Sequence, residues 1–485
     1  MRGLNTMIEV PPALAPSARL WPPTSPALAG PRKSALLLAF CLPLLVCFEF
    51  TFIGRVHLAE IALIGLLPVW ILQRQAPMDR RVWLLLVLGA LWLASQIITD
   101  QIRGTPPADY LRGWAKISLF LLLFYAMQLF IGRSPQLILA FGMGLAAGGA
   151  CKYFFFRVDY AVGDTAVNYW KFGLGGPVTG LLICLLCLGY FRRRPMLSLS
   201  LLSALTFAHM MLGARSASLI VFATTACLAI HALRVHGFMR SRSSLLLWSG
   251  TVFAASGVIL WFIYSISLDS RYAGIDLRAK HELQSQAKGG ILVGGRSEFL
   301  IAMRAIYDSP LLGHGSWAKN AKYANMDLAE YGLDRRDGSG VNLIPTHSHI
   351  FGAWVEAGIL GGLFWLVVLA LTLRGLLSVF RWSHSLTPLV VFTAIGLLWS
   401  IPFSPFGFED RFFMAFEISI ILYQLRLGGG HPEGLLSKGS RRSVRKVLRR
   451  SPMAGHLHGE PAIRSKFGDR HYLSHTERAE LRAPR

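Results

Sequence analysis

Residues 345–362 have the sequence PTHSHIFGAWVEAGILGG, and they close a region that opens with GGRSE at 294–298 and passes through DSPLLGHG at 308–315. This region is the only long polar stretch between two strongly apolar parts of the chain. Ionisable side chains in an otherwise apolar chain mark function by default. Any chemistry at a membrane surface is therefore expected here, with the apolar parts as its support.

The composition places the chain among polytopic membrane proteins. Its 485 residues are 53% hydrophobic and 15% charged, with a mean hydropathy of +0.47, whereas a soluble domain carries about 25% charged residues. The net charge of +23 does not indicate a nucleic-acid partner, because the basic residues are spread over short loops and the C-terminal tail. That distribution is typical of topology signals and of attraction to membrane lipids.

Apolar runs long enough to cross a bilayer predict an all-α polytopic membrane protein with about twelve transmembrane helices. A large outer loop, 266–346, separates the ninth span from the tenth, and the tenth is entered through a glycine-broken half-segment. The tails 1–33 and 427–485 are predicted to be disordered, so spans one to nine fill 34–265 and spans ten to twelve fill 347–426. The predicted spans are 34–54, 57–72, 82–99, 114–132, 135–155, 173–191, 196–212, 217–233, 246–265, 347–380, 388–403 and 412–426.

Arginines in the short loops set the orientation. With the N-terminus inside, every inner connection carries arginine, from Arg74 in the first to Arg381 in the last, which satisfies the positive-inside rule. Both termini are then cytoplasmic and the 266–346 loop faces outward. The basic C-terminal tail either contacts anionic headgroups or is simply solvated.

Two patterns inside the apolar runs concern helix packing. Gly144 and Gly148 offer a small-residue face for close helix approach, and Pro43 is expected to kink the first helix.

The six cysteines lie in or at the ends of apolar runs. We interpret them as small hydrophobes, including Cys184 and Cys187, although their spacing also occurs in redox motifs.

Within the outer loop, a helix is predicted to begin at Ser297, which can cap it, and to end before Pro310. Arg296 stands just before its N-terminus, where backbone N–H groups and the helix dipole favour an anion. A phosphate site at Arg296 is the functional interpretation, and an arginine reaching lipid headgroups is the structural one. The predicted apolar face of the helix consists of Phe299, Leu300, Met303 and Ile306.

A second arginine, Arg215, lies in a very short connection between two apolar runs, GARSAS at 213–218. It is therefore held at the outer boundary, where positive charge is unusual, and marks a functional position unless the topology signal is imperfect. Arg112 and Lys171 add to the same outer excess of positive charge. A basic basin at lipid level suits a diphosphate attached to a lipid.

His347 and His349 stand at the start of the tenth span. A histidine at a helix start is more often a cap or an interfacial residue than a catalyst, but the following helix also carries Glu356, an uncommon acid in an apolar frame. Trp354 on the same helix suits either a stacked sugar or an interfacial belt. The sequence lacks the metal-binding motifs His-Glu-x-x-His and Asp-x-Asp, and we expect no metal and no cofactor.

The combination resembles the O-antigen ligase and polymerase superfamily of bacterial envelope glycosyltransferases. The hydropathy is similar over roughly residues 34–426, including one large outer loop in the second half. Two features depart from the family pattern: the second histidine in Thr-His-Ser-His at 346–349 and the long basic tail. The features that carry the resemblance are Arg215-Ser216 opening a span, Pro310-Leu-Leu-Gly313 after an amphipathic helix, and His347-Ser348 followed after nine residues by Gly358.

The resemblance implies a site, a donor and an acceptor. In that family a histidine and arginines on the outer face are the functional positions, which implies catalytic roles for His347, Arg215 and Arg296. The donor would be a glycan on undecaprenyl diphosphate at the periplasmic face of the bacterial inner membrane, and the acceptor a hydroxyl of lipid A-core. The expected substrate contacts are Arg112, Lys171, Ser348, His349, Trp354 and Glu356.

Two other functions compete with this interpretation. A polymerase of the same superfamily would use a second lipid-linked glycan as the acceptor, and the sequence does not separate it from a ligase. A transporter of polysaccharide or lipid-linked glycan should show internal repeats and charges near the bilayer middle. No repeat is evident and the charges gather at the outer boundary, so transport is the less favoured class.

Overall fold

The computed structural model describes residues 31–51, 54–73, 78–132, 134–155, 169–235, 297–326 and 342–429. Apolar runs in lipid satisfy their backbone hydrogen bonds internally, which favours helices, and helices dominate the described ranges. The α-helices are α1 Lys33–Leu44, α2 Leu58–Leu72, α3 Arg80–Arg103, α4 Pro107–Phe130, α5 Pro135–Phe155, α6 Gly175–Leu186, α7 Gly189–Arg192, α8 Pro195–Met211, α9 Arg215–Val235, α10 Ser297–Asp308, α11 Ala321–Ala324, α12 His349–Ala357, α13 Ile359–Val379, α14 Thr387–Phe403 and α15 Phe408–Gly429.

Among the described helices, α3, α4, α5, α9 and α13 are long and apolar enough to cross a membrane. The apolar helices α1, α2, α6, α8 and α14 are shorter. Apart from the first, every predicted span in the described ranges coincides with a helix or a pair of helices, which agrees with the all-α class. The predicted span 246–265 and most of the predicted loop 266–346 lie outside the described residues, so twelve spans stay a prediction.

The first predicted span, 34–54, is only partly helical. Helix α1 passes into a 3-10 turn, Leu45–Cys47, just after Pro43. Two short antiparallel strands follow, β1 Glu49–Thr51 and β2 Arg55–His57. Their aromatic and β-branched side chains favour extended backbone, which explains why the helix ends early.

Helix α1 packs directly on α5 through glycines. A Cβ atom at Gly148 would lie 2.7 Å from the carbonyl oxygen of Pro43, and one at Gly144 would overlap the carbonyl oxygen of Phe40. Only glycine allows the two backbones to approach this closely. The predicted close helix approach at Gly144 and Gly148 is therefore confirmed.

The tenth predicted span is broken at Gly358, as the glycines of the sequence indicated. Gly358 has φ +68° and separates α12 from α13. This conformation favours glycine, and a Cβ here would also overlap the carbonyl oxygen of Leu311. The break lets the segment around Leu311 pack against the turn between the two helices.

Helix α10 has the predicted bounds but faces differently from the prediction. Its small side chains allow close packing against Val355 of α12, whereas most of the predicted apolar face points outward. The buried residues of α10 are Ile301, Ala302, Ala305 and Ile306. The exposed ones include Phe299, Leu300 and Met303, whose exposed fractions are 41%, 44% and 46%.

Contacts between distant residues define two ends of the helix bundle. At one end, here called the site end, Lys152 bonds Glu49 (3.1 Å) and Lys319 bonds Asp109 (2.6 Å). At the opposite end, Arg426 donates to the carbonyl oxygen of Gly132 (2.7 Å). The alternation of helix ends between these two groups agrees with the alternation of loops that the sequence predicts.

Candidate functional site

The site end is built around the segment 309–316, which follows α10 and lies on the end of α3. The guanidinium of Arg103 donates to the carbonyl oxygen of Gly313 (Nη2, 2.8 Å; Nε, 3.2 Å) and to Ser309 Oγ (2.8 Å). Thr99, one turn earlier, donates to the carbonyl oxygen of Leu312. Arg103, Thr99 and Ser309 thus hold in place a segment with little regular structure. The role of Arg103 is therefore structural.

A buried carboxylate, Asp100, anchors the same segment. Its Oδ1 accepts from Ser316 N (2.6 Å), and its Oδ2 accepts from Ser316 Oγ (2.7 Å) and Trp114 Nε1 (2.8 Å). Gln96 on the preceding turn donates to Ser316 Oγ (2.9 Å). Because buried polar groups are costly unless they are bonded, this network specifies one position for the segment.

The segment also bonds the turn between α12 and α13. His314 N donates to the carbonyl oxygen of Val355 (2.7 Å), and Gly315 N donates to that of Glu356 (3.0 Å). These are carbonyls at the end of a helix, which need partners from outside it. The PLLG element and the His-Ser-x9-Gly element, far apart in sequence, therefore form one structure.

His347 lies at the surface of this structure. Its side chain is 58% exposed, and its Nδ1 lies 3.6 Å from Glu298 Oε1 in the first turn of α10. The two side chains line a small pocket together with Phe299, Phe351 and Phe403. A distance of 3.6 Å is longer than a hydrogen bond, so the carboxylate lies beside Nδ1 without bonding it, and the imidazole of His347 is exposed to solvent.

The two residues that follow His347, Ser348 and His349, point inward. Ser348 caps α12 by accepting from Phe351 N (3.2 Å), and its hydroxyl donates to the carbonyl oxygen of Ile401 (3.1 Å). His349 is fully buried, and its Nδ1 donates to the carbonyl oxygen of Ser404 (2.6 Å). Both side chains tie α12 to α14 and hold His347 in place.

Glu356 and Trp354 also have protein partners. Glu356 Oε2 bonds Lys116 Nζ at 2.8 Å, and both side chains are mostly buried, 18% and 17% exposed. Trp354 Nε1 donates to the carbonyl oxygen of Pro310 (2.8 Å). The uncommon acid of the sequence is therefore one half of an ion pair between α4 and α12.

The cations that the sequence predicts to face outward are distributed around the same end. Arg215 begins α9, and His231 of that helix bonds Ser383 at the opposite end (3.1 Å). About sixteen residues at 1.5 Å each put Arg215 about 24 Å away, at the site end. Arg112 is exposed on α4, and the Lys171 ammonium lies 4.6 Å from the ring centroid of Phe172. Arg296 lies outside the described residues, directly before α10.

No protein-family model matches the sequence, and no curated protein matches it.

The loop helices are held by a second polar cluster next to the site. Asp308 accepts from Lys322 Nζ and from Tyr323 Oη, both at 2.6 Å. These two hydrogen bonds lower the pKa of Asp308 to about 2. Burial, followed by the bond to Asp308, raises the pKa of Tyr323 to about 12. The carboxylate thus stays ionised and the phenol neutral at any ordinary pH.

His314 is the titratable group between α10 and the 309–316 segment. Its Nε2 donates to the carbonyl oxygen of Ala305 (2.8 Å). Burial lowers the pKa of His314 below its ordinary value of 6.5. The imidazole is therefore neutral near pH 7, and its protonation destabilises the buried position of His314 between α10 and the 309–316 segment.

A large cavity opens beside the site, between α5, α6, α14 and α15. Its volume is about 900 Å³, and its lining is mostly apolar and aromatic. Lys152 and Glu409 lie at its mouth, and Glu417 of α15 lines it further in. The groups of three or more His, Cys, Asp or Glu side chains that a metal ion needs do not occur among the described residues.

Sequence reasoning overlooked several polar residues that the structure makes prominent. Asp100 holds the 309–316 segment, Glu298 stands beside His347, and Glu417 lines the cavity. Arg411 is enclosed with Glu60, their side chains only 5% and 0% exposed. Each is an ionisable residue within or beside an apolar run, which is the signal that could have found them.

Proposed function

We propose that the protein is a membrane glycosyltransferase of the O-antigen ligase type. It moves a glycan from undecaprenyl diphosphate to an acceptor hydroxyl at the periplasmic face. The observation that carries the proposal is the approach of His347 to Glu298 at 3.6 Å, with the histidine exposed at the site end of the bundle. The sequence resemblance selects the same histidine.

The pair suits general-base catalysis. A carboxylate beside Nδ1 stabilises the imidazolium that forms when Nε2 accepts a proton. General-base help of this kind contributes roughly 10²- to 10⁴-fold in rate. His347 is the base or the orienting group for the acceptor hydroxyl, and Glu298 positions it.

The donor diphosphate requires fixed positive charge. Arg215 at the start of α9 and Arg296 before α10 are the proposed cations, with Arg112 and Lys171 as further contacts. Guanidinium groups bind phosphate oxygens in a bidentate manner, and cations aimed at developing charge lower the barrier of such reactions. Ser348, His349, Trp354 and Glu356 support the site through the contacts described above.

The reaction is a single displacement. The acceptor oxygen forms a bond to the anomeric carbon while the bond from that carbon to the diphosphate oxygen breaks. The hydroxyl proton passes to His347, and undecaprenyl diphosphate leaves with the bonding electron pair. Attack from the face opposite the diphosphate inverts the anomeric configuration.

The proposed setting is the bacterial inner membrane, with about twelve spans and both termini cytoplasmic. The site end then faces the periplasm, where lipid-linked glycans and lipid A-core are both presented. This orientation follows from the arginines of the short loops. The grouping of helix ends supports the alternation of the spans, and the arginines alone assign the two sides.

The test is a reconstituted assay with purified protein and a lipid-linked oligosaccharide donor, with and without lipid A-core, in EDTA. We expect His347→Ala to lower turnover at least about 100-fold and Glu298→Gln about tenfold, since the base is lost in one and only its orientation in the other. His231→Ala, at the opposite end, is the matched control and should keep full turnover.

The product decides between the two acceptors. Glycan joined to lipid A-core only when that acceptor is present supports a ligase. A ladder of longer lipid-linked chains without it makes the protein a polymerase of the same superfamily. Full activity of His347→Ala, or the absence of both products with several donors, would overturn the proposal and bring transport forward.

A further inference from the structure

The cavity beside the site has an apolar wall and an acidic interior. Small residues such as Gly142, Gly176 and Gly180 widen it, and the rings of Phe413 and Phe416 face it. A volume of about 900 Å³ is in the range of cavities that hold organic ligands. The lining therefore suits an amphiphile rather than water alone.

The charges at the mouth do not suit a diphosphate. Among the described lining residues, Lys152 is the only lysine or arginine. Its ammonium group is bonded to Glu49 (3.1 Å) and lies 3.5 Å from Glu409. A polyphosphate at this mouth would meet two carboxylates for one neutralised lysine. The charges of this lining therefore differ from those proposed for the donor site, and binding of a ligand in the cavity does not depend on the transferase function.

Deeper in the cavity, Glu417 lacks a partner for one of its oxygens. Its Oε2 is buried and has no hydrogen-bond partner among the described residues. A buried carboxylate oxygen left unbonded is costly. A ligand that brings a donor and a positive charge removes that cost, and the neighbouring rings of Phe413 and Phe416 add cation–π attraction.

We propose that this cavity binds the ammonium group of an amphiphile, with the apolar chain against the aromatic wall. Glu409 at the mouth and Glu417 at depth are the acidic contacts, and a cation beside Glu417 favours the ionised form of its carboxyl group. They lie eight residues apart on α15, so about 12 Å of helix separates a contact at the mouth from one at depth. An aminophospholipid headgroup reaches the mouth, and a diffusible lipophilic amine reaches the deep carboxylate.

The experiment measures equilibrium binding to the purified full-length protein in a neutral detergent. Decylammonium, whose headgroup carries N–H donors, is compared with decyl glucoside, which has the same chain and an uncharged headgroup. We expect the cation to bind at least about tenfold more tightly, as one desolvated carboxylate contact provides. Glu417→Gln should reduce that preference to less than about twofold, while the matched variant Glu409→Gln should retain it.

A second variant protects the test against a folding defect in Glu417→Gln. Gly176 lines the cavity and a Cβ atom there meets nothing within 4 Å, so Gly176→Trp introduces a bulky side chain at the lining with no clash at its Cβ. It should keep the melting temperature and lose both ligands. Unchanged cation binding in Gly176→Trp, or equal binding of the two amphiphiles to the unaltered protein, would overturn the proposal.

Nanodiscs separate the two sources of the ammonium group. Co-purification of phosphatidylethanolamine in preference to phosphatidylglycerol, lost in Glu409→Gln and retained in Glu417→Gln, identifies a lipid headgroup at the mouth. The reverse dependence on the two variants identifies a diffusible amine. Loss of glycosyl transfer is not expected in either variant, so failure here and failure of the proposed function are distinguishable.

Discussion

At the residue scale, the ion pair between Arg411 and Glu60 is the most deeply enclosed of the charge pairs formed by the described residues, with side chains 5% and 0% exposed. Arg411 Nη2 donates to Glu60 Oε2 (2.6 Å) and to the carbonyl oxygen of Arg55 (2.8 Å). His57 N donates to the same carboxylate (3.0 Å). The pair connects α15 with α2 and β2.

Removing one member of this pair leaves the other buried without compensation. We therefore expect Glu60→Gln to lower the free energy of unfolding by about 3 kcal/mol or more. The double variant Glu60→Gln with Arg411→Met should be less destabilised than Glu60→Gln alone. Arg304→Gln is the control, because Arg304 is 55% exposed in its pair with Asp308 and such pairs contribute about 0–1 kcal/mol.

Thermal unfolding in detergent measures these variants side by side. We expect Arg304→Gln to be the least destabilised, Glu60→Gln the most destabilised, and the double variant to lie between them. Equal melting temperatures for Glu60→Gln and Arg304→Gln would show that Arg411 finds solvent or another partner when the carboxylate is removed.

The pH dependence of the loop follows from His314. Its folded pKa lies below the ordinary value of 6.5, so folding disfavours the protonated form. The contribution to stability is therefore present above pH 6.5 and is lost as the pH falls through the folded pKa. Asp308, with its pKa near 2, loses its contribution only below its ordinary value of 3.8.

Hydrogen exchange of α10 amides at pH 7.5 and 5.0 measures this change. We expect faster opening of α10 at pH 5.0, after correction for intrinsic exchange rates. In His314→Gln, whose amide can still donate to Ala305, the acid effect should disappear. An undiminished acid effect in that variant would assign the titration to another group.

At the element scale, the turn between α12 and α13 holds the 309–316 segment against α12, the helix that follows His347. Gly358→Ala should be strongly destabilising, because its φ of +68° disfavours a side chain and its Cβ would overlap the Leu311 carbonyl oxygen. A strained backbone position of this kind costs about 1–3 kcal/mol before the clash is added. Gly352→Ala is the matched control on α12, since its nearest contact, Thr346 Oγ1 at 3.6 Å, is ordinary.

Melting temperature and transferase turnover are measured together for the two glycine variants. Gly358→Ala should lose both, because the 309–316 segment packs on this turn and α12, which follows His347, ends at it. Gly352→Ala should keep both. A stable but inactive Gly358→Ala would show that the turn shifts His347 without loosening the fold.

The same scale shows why the face of α10 was predicted wrongly. A hydropathy pattern ranks Phe299, Leu300 and Met303 above alanine as core residues, but all three are exposed, and of the four residues predicted for the apolar face only Ile306 is buried. Close packing against α12 instead selects Ala302 and Ala305, because small side chains let two helices approach. The periodicity of the sequence predicts the helix and its ends, whereas the side of the helix that is buried depends on the helix it packs against.

At the scale of the whole molecule, local sequence signals predicted the helices well and the long-range bonds poorly. The break at Gly358 and the close approach at Gly144 follow from glycines visible in the sequence. The bond between Asp100 and Ser316 joins residues 216 positions apart, and no local pattern encodes such a pairing. The candidate site was therefore predicted as a region and as His347, while Glu298 and Asp100 needed the fold.

The orientation of the molecule can be tested through its two ends. Tyr307 of α10 is 76% exposed near the site end, and Arg381 is exposed at the opposite end. In a background with Cys41, Cys151 and Cys227 replaced by alanine, single variants Tyr307→Cys and Arg381→Cys are treated with a membrane-impermeant maleimide in right-side-out vesicles. The positive-inside rule predicts labelling of Tyr307→Cys alone, with Arg381→Cys labelled only after permeabilisation. The reverse pattern would turn His347 to the cytoplasm, away from periplasmic acceptors, and so would remove the proposed transfer to lipid A-core while leaving the fold unchanged.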